Sequence, residues 1–150
     1  MSRFSDYLAS VDGVALDVDG NYGPQCWDLW SHYASNLIGV DPWWLTGTNS
    51  GGGCNSHSGY TCGIWYGFGG NLNRWFTAYG PDAAAQPGDV AIWDYGYPNT
   101  PYSHVAIVVE DRGGSLYTMT QNPGECHYGQ ITKNGLLGYL RPDDQSFFGV

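Results

Sequence analysis

Charge is scarce in this chain of 150 residues, and most of it is negative: charged side chains make up 13%, with 14 acidic against 5 basic residues and a formal net charge of -9. Proteins that grip nucleic acid or an anionic membrane do so with clustered Lys and Arg. The shortage of basic residues therefore argues against DNA, RNA or a membrane surface as partner. No apolar run approaches the ~18 residues of a membrane span, and the opening Met-Ser-Arg-Phe-Ser-Asp-Tyr has no signal-peptide core. The expectation is a protein made in a cytoplasm without a signal peptide and released by other means. No internal repeat or interdomain linker is visible. At 42% hydrophobic the chain can bury one core, so residues 1–150 read as a single domain, expected to be a monomer.

What is present is aromatic surface and one dense motif. Aromatics reach 16%, which suits a stacking groove better than a surface built for nucleic acid, with Trp93 and Tyr102 as its expected walls. The motif is Asp17-Val-Asp-Gly-Asn-Tyr-Gly-Pro-Gln-Cys-Trp-Asp28. Side-chain oxygens recur at Asp17, Asp19 and Asn21, a backbone carbonyl is available at Gly23, and Asp28 falls on position twelve. These offsets feed oxygens to Ca²⁺ in an EF-hand loop, but Tyr22 stands where that loop needs Gly and Asp28 where it needs Glu. The reading is a calcium clip of similar spacing, and its alternative is a polar turn in which Asp-Gly-Asn serves geometry alone.

The second half of the motif starts a helix. Pro24 suits the first turn, and Trp30, Tyr33, Ala34 and Leu37 recur at helical spacing, so Cys26 sits where unpaired amides and the macrodipole favour a thiolate. The alternative is a cysteine that simply packs in the core. Farther along, Val90–Trp93 reads as a strand, His104 opens a second, and Ser115–Asn122 forms a third ending on an amide. Cysteine on a helix start, histidine at an accessible strand mouth and asparagine on the next strand make a thiolate site activated by a general base. The Cys26 amide and Gln25 would hold the oxyanion.

The coarse plan is a helix over Ser2–Ser10, a loop over 11–24, the main helix over 25–38, a Gly-rich insertion from Thr46 to Gly70, a helix over Asn71–Tyr79 ended by Gly80-Pro81, and strands thereafter. Helices followed by antiparallel strands predict an α+β fold. In the insertion, Cys54 and Cys62 suit a short disulfide. Free thiols, or a Zn²⁺ site from Cys54, His57, Cys62 and Cys126 or His127, are the alternatives.

Together the runs Asp17–Asp28, Pro87-Gly-Asp-Val-Ala-Ile-Trp93, His104-Val-Ala-Ile-Val108, Gln121-Asn122 and Tyr139-Leu-Arg-Pro142 resemble the CHAP domain, the cysteine, histidine-dependent amidohydrolase/peptidase of bacterial and phage cell-wall lysins. The resemblance covers about residues 7 to 142. It implies a papain-like core with N-terminal helices packed on an antiparallel sheet, Cys26 as nucleophile, His104 as base and Asn122 as its orienter. It also implies Ca²⁺ on Asp17, Asp19, Asp28 and the carbonyls of Asn21 and Gly23. The expected function is a peptidoglycan hydrolase, an N-acetylmuramoyl-L-alanine amidase or a stem or cross-bridge endopeptidase, acting on the wall as a phage endolysin or a virion-borne lysin. A catalytically idle wall-binding or tail module is the rival. One residue departs from the family: calcium-binding phage members carry Glu where this chain has Thr120, which leaves the orienting to Asn122.

Overall fold

Ser2 starts the first helix, its hydroxyl accepting the Ser5 N–H at 3.0 Å. The computed structural model describes residues 2–17, 25–40, 60–68, 72–121 and 124–148. Helix α1, Arg3–Val11, buries Phe4, Tyr7, Leu8 and Val11 along one stripe. Helix α2, Cys26–Tyr33, runs on as a π-turn over Ala34–Ile38 and stops at Gly39, whose φ of 89° is the left-handed conformation that a helix C-terminus favours. Helix α3 is a short segment, Cys62–Tyr66.

The strands are β1 Phe76–Tyr79, β2 Val90–Tyr97, β3 Thr100–Asp111, β4 Ser115–Thr120, β5 His127–Thr132 and β6 Leu136–Pro142. They form one antiparallel sheet in the order β1-β6-β2-β3-β4-β5. Because side chains alternate across a strand, β2 and β3 each feed two cores. Val90, Ile92, Val105 and Ile107 join Cys26, Leu29, Trp30 and Tyr33 under the helices. Ala91, Trp93, Ala106 and Val108 join Leu116, Leu136 and Tyr139 on the other face. This is the expected α+β, papain-like arrangement of helices on an antiparallel sheet.

Three boundaries differ from the sequence reading. The expected helix over 71–79 is a single 3₁₀ turn, Leu72–Arg74, followed by β1. Phe-Thr-Ala-Tyr pairs along its whole length with β6, Phe76 opposite Pro142 and Tyr79 opposite Tyr139, and β-branched and aromatic residues fit that pleated edge better than a helix. The strand carrying His104 begins at Thr100, so His104 lies inside it rather than at its mouth. Strand β4 ends at Thr120.

The Pro87-Gly88-Asp89 turn fastens this frame. Gly88 has φ 94°, and a Cβ there would come within 2.1 Å of the Phe148 ring. Its carbonyl accepts the Tyr33 hydroxyl at 2.7 Å. Asp89 is buried and takes a bidentate ion pair from Arg141 on β6, Nε to Oδ1 and Nη2 to Oδ2, both at 2.9 Å. Asp89→Ala leaves the half-buried guanidinium without its partner. The expected loss is about 3 kcal/mol, the low end for a broken buried pair, read as a lower urea midpoint with unchanged slope.

Candidate active site

Cys26 is the first residue of α2, and the helix start around it is heavily tied. Asp28 is fully buried, and its Oδ2 accepts the Gln25 N–H at 2.9 Å. The Gln25 carbonyl accepts from Asp28 N at 3.0 Å and from Gln121 Nε2 at 2.8 Å. With both backbone groups of Gln25 engaged, any oxyanion contact from this residue falls to its side-chain amide.

Cys26 is buried, 7% exposed as a residue. Burial raises its pKa above the ordinary cysteine value, and the donors around the sulfur oppose that rise: the Val105 amide, the Thr61 hydroxyl, and the amides of Trp27 and Cys26. The expected lowering by the helix start is thus present but outweighed by desolvation. Thr61 belongs to the segment leading into α3. Its Oγ1 lies 2.9 Å from Ser103 Oγ, which also accepts the Cys62 N–H at 2.7 Å and donates to the Trp93 carbonyl at 2.9 Å. Ser103, the residue before His104, has φ 68°, the one positive value found at a non-glycine residue among those described. Its strained backbone is held by these buried bonds.

His104 is 8% exposed, not the accessible imidazole that a strand mouth suggests. It stands opposite Trp93 in the β2–β3 register, with ring centroids 5.8 Å apart. Its Nε2 lies 2.6 Å from Thr120 Oγ1 at the end of β4. Burial, with a smaller contribution from nearby His127, pushes its pKa down to about 4. The thiol thus meets β3 at the Val105 amide, the residue after His104. Among the described residues no hydrogen bond joins thiol and imidazole, and both rest neutral at pH 7.

Trp93 does not line a groove. It is fully buried and its indole N–H donates to the Thr132 carbonyl at 2.9 Å, so the ring backs the imidazole instead. Tyr102 is 66% exposed, and with Ser103, His104 and Ile131 it lines a cleft of about 230 Å³. Tyr95 packs edge-on against Tyr102 and Tyr60 packs on Tyr95, extending an aromatic surface outward from the imidazole.

Asp17 is exposed at the entrance to the motif loop. Asp19, Asn21, Gly23 and Asn122 lie outside the described residues. Among those described, no group of three or more His, Cys, Asp or Glu side chains is placed to hold a metal. The alternative Zn²⁺ set is overturned: Cys62 is disulfide-bonded, while Cys126 is a buried free thiol that donates to Gln121 Oε1 at 3.1 Å. A cysteine in a disulfide has no thiolate for a metal. Cys54 and His57 lie outside the described residues. Thr61 and Ser103 were not singled out by sequence, since a hydroxyl in a glycine-rich stretch and a serine before a histidine carry no periodic signal.

Cys26 thus starts a helix and His104 lies on an antiparallel strand of the sheet that the helix packs on. A CHAP domain family model matches residues 16–122, and the chain belongs to that family. It is 34% identical over 125 residues to the D-alanyl-L-alanine endopeptidase of Streptococcus phage B30, covering 83% of this chain but only a quarter of that relative's length. The fold is similar to the crystal structure of the wild-type endolysin LysIME-EF1, with a TM-score of 0.67 and 19% identity over 97% of this chain and 67% of that one. Ly7917 is also similar, with a TM-score of 0.58 and 19% identity over 93% of this chain and 61% of the other.

The buried imidazole makes stability depend on pH with a definite sign. Between about pH 4 and 6.5 the unfolded chain binds a proton at His104 that the native protein does not, so stability falls as pH drops through that window. A shift of this size corresponds to about 3 kcal/mol. Urea titrations at pH 7 and pH 4 should show a steeper acid loss for wild type than for His104→Gln. Equal losses would mean the native imidazole protonates freely.

Proposed function

We propose that this domain is a peptidoglycan hydrolase that cleaves an amide bond of the bacterial wall through Cys26. The observation that carries the reading is the helix-start cysteine, surrounded by amide and hydroxyl donors, meeting β3 beside His104 in a chain of the CHAP family. Cys26 Sγ attacks the carbonyl carbon while His104 takes the thiol proton, which it then gives to the leaving amine. Water hydrolyses the resulting thioester and regenerates the thiol. The thiol–imidazole contact closes on substrate binding, as catalytic hydrogen bonds often do. Asn122 assists in orienting the imidazole, and the exposed Tyr102 cleft receives the substrate next to it. The name of the phage B30 relative supports a peptide bond between D-alanine and L-alanine, and with it a place of action on the wall as a phage lysin.

Calcium belongs to the same proposal. Asp17, Asp19 and Asp28, with the carbonyls of Asn21 and Gly23, would hold it, and hard oxygen donors suit that ion. The buried Asp28 carboxylate at the helix start fits such a role, although it already caps Gln25. When bound, the ion would offset the repulsion of the carboxylates. Cys26 and His104 act without any direct part for it.

A second reading has one observation in its favour. No hydrogen bond joins Cys26 and His104 among the described residues, as would suit a wall-binding module without catalysis. Purified peptidoglycan separates the two. Wild type should release fragments by mass spectrometry: stem peptides freed from the glycan at their N-terminal L-alanine mark an amidase, and a peptide bond cut with the stem still on its muramic acid marks an endopeptidase. Folded Cys26→Ala should release none, and His104→Ala should fail equally. Binding without fragments from wild type establishes the module instead.

For calcium, the thermal midpoint should rise with saturating Ca²⁺, by an amount equivalent to about 2.7 kcal/mol at a hundredfold excess over Kd. Asp19→Ala should remove that response. A wild-type midpoint indifferent to both EDTA and Ca²⁺ reduces the motif loop to a polar turn.

A further inference from the structure

The imidazole of His104 has two nitrogens, and the structure gives one of them a fixed partner. Nε2 lies 2.6 Å from Thr120 Oγ1, both residues being buried. A hydroxyl can donate or accept, so the contact alone permits either tautomer. The chemistry of a thiol nucleophile decides between them. The proton from Cys26 needs a nitrogen lone pair, and with Nε2 held by Thr120 only Nδ1 can supply it. That requires Nε2 to carry the hydrogen and donate it to the threonine oxygen.

We propose that Thr120 is the positioning residue of this site, a neutral hydroxyl acceptor that fixes His104 as the Nε2–H tautomer and leaves Nδ1 as the base. It stands where calcium-binding phage members of the family carry Glu. The exchange has a physical consequence. A carboxylate would stabilise the imidazolium and favour a thiolate–imidazolium pair at rest, whereas a threonine oxygen orients the ring without adding charge. Among the described residues no carboxylate acts on His104. His127, on β5, is the titratable neighbour that does, and it opposes protonation. Around the ring are the neutral Trp93 indole and the Thr120 hydroxyl.

The proposal rests on the thiol–imidazole reading of the site, and its test avoids wall substrate, so that its failure is distinct from a failure to cut peptidoglycan. In ¹⁵N-labelled wild type at pH 7, the His104 shifts should report a protonated Nε2 and an unprotonated Nδ1. Thr120→Val, which keeps the shape and removes the hydroxyl, should give a mixture of tautomers and slow iodoacetamide alkylation of Cys26 about tenfold or more. Thr120→Ser should retain the wild-type tautomer and react within about threefold of wild type. Asn122→Ala should disturb the tautomer less than Thr120→Val. Should Thr120→Val not fold, the wild-type tautomer and the serine variant still decide. A protonated Nδ1 in wild type overturns the proposal. So does a serine variant as impaired as valine, a valine variant indistinguishable from wild type, or a larger tautomer shift from Asn122→Ala.

Discussion

One side-chain amide holds the site together. Gln121, fully buried just beyond β4, uses every hydrogen-bonding valence it has. Its Oε1 accepts from Leu16 N at 2.8 Å and Cys126 Sγ at 3.1 Å, and its Nε2 donates to Leu16 O and Gln25 O, both at 2.8 Å. Toward Leu16 it behaves like one rung of a β-ladder, taking both backbone groups of a single residue. Toward Gln25 it grips the carbonyl from which α2 begins. Leu16 and Gln25 are the two ends of the 17–24 segment, so the span of the motif loop is set by protein contacts before any ion is considered. Cys126 adds backbone bonds to Gly13 and Val14, each at 2.8 Å, lacing the chain before the loop to the far side of the sheet. A buried amide left half-satisfied costs about 1–3 kcal/mol per orphaned group. Gln121 therefore fixes where Cys26 enters relative to the strand whose last residue, Thr120, holds His104.

The electrostatics of the site follow from burial more than from charge. Both members of the thiol–imidazole pair are shielded, which drives the cysteine up and the histidine down, and each shift favours the uncharged form. At rest both groups are uncharged. Amide donors from Val105, Trp27 and Cys26 already surround the sulfur, so negative charge forming there meets oriented dipoles that need no rearrangement. Away from the thiol and the imidazole, Asp89 is paired with Arg141 and Asp111 with Lys133, each at 2.9 Å.

Much of this was legible in the sequence because it is written in local spacing. The opening helix, the helix start at Cys26, the apolar run of β2 and the antiparallel α+β order were all legible from local sequence, and the structure has them. What sequence missed depends on partners distant in the chain. Phe76–Tyr79 reads as helix until β6 is there to pair with it. Trp93 reads as a groove aromatic until its indole is seen bonded to Thr132, across the sheet. His104 follows a loop-like stretch, and only the full length of β3 shows that it is interior. Thr120 stood out merely as the absence of a carboxylate, since a threonine near the end of a strand is ordinary until an imidazole is found on its oxygen.

Ser103 shows how the pieces depend on one another. An L-residue at φ 68° is unfavourable by the order of 1 kcal/mol or more, and a strand would ordinarily avoid it one residue before its functional histidine. Here the hydroxyl of that residue serves Thr61, the Cys62 amide and the Trp93 carbonyl together. Relaxing the backbone would break those bonds at once, and with them the approach of Thr61 to the sulfur. Since Cys62 is disulfide-bonded, the segment that brings Thr61 is covalently restrained as well as hydrogen-bonded. The strain at Ser103 is thus matched by contacts that reach the Cys26 thiol, and the same short stretch of β3 carries the distorted residue, the imidazole and the amide that faces the thiol.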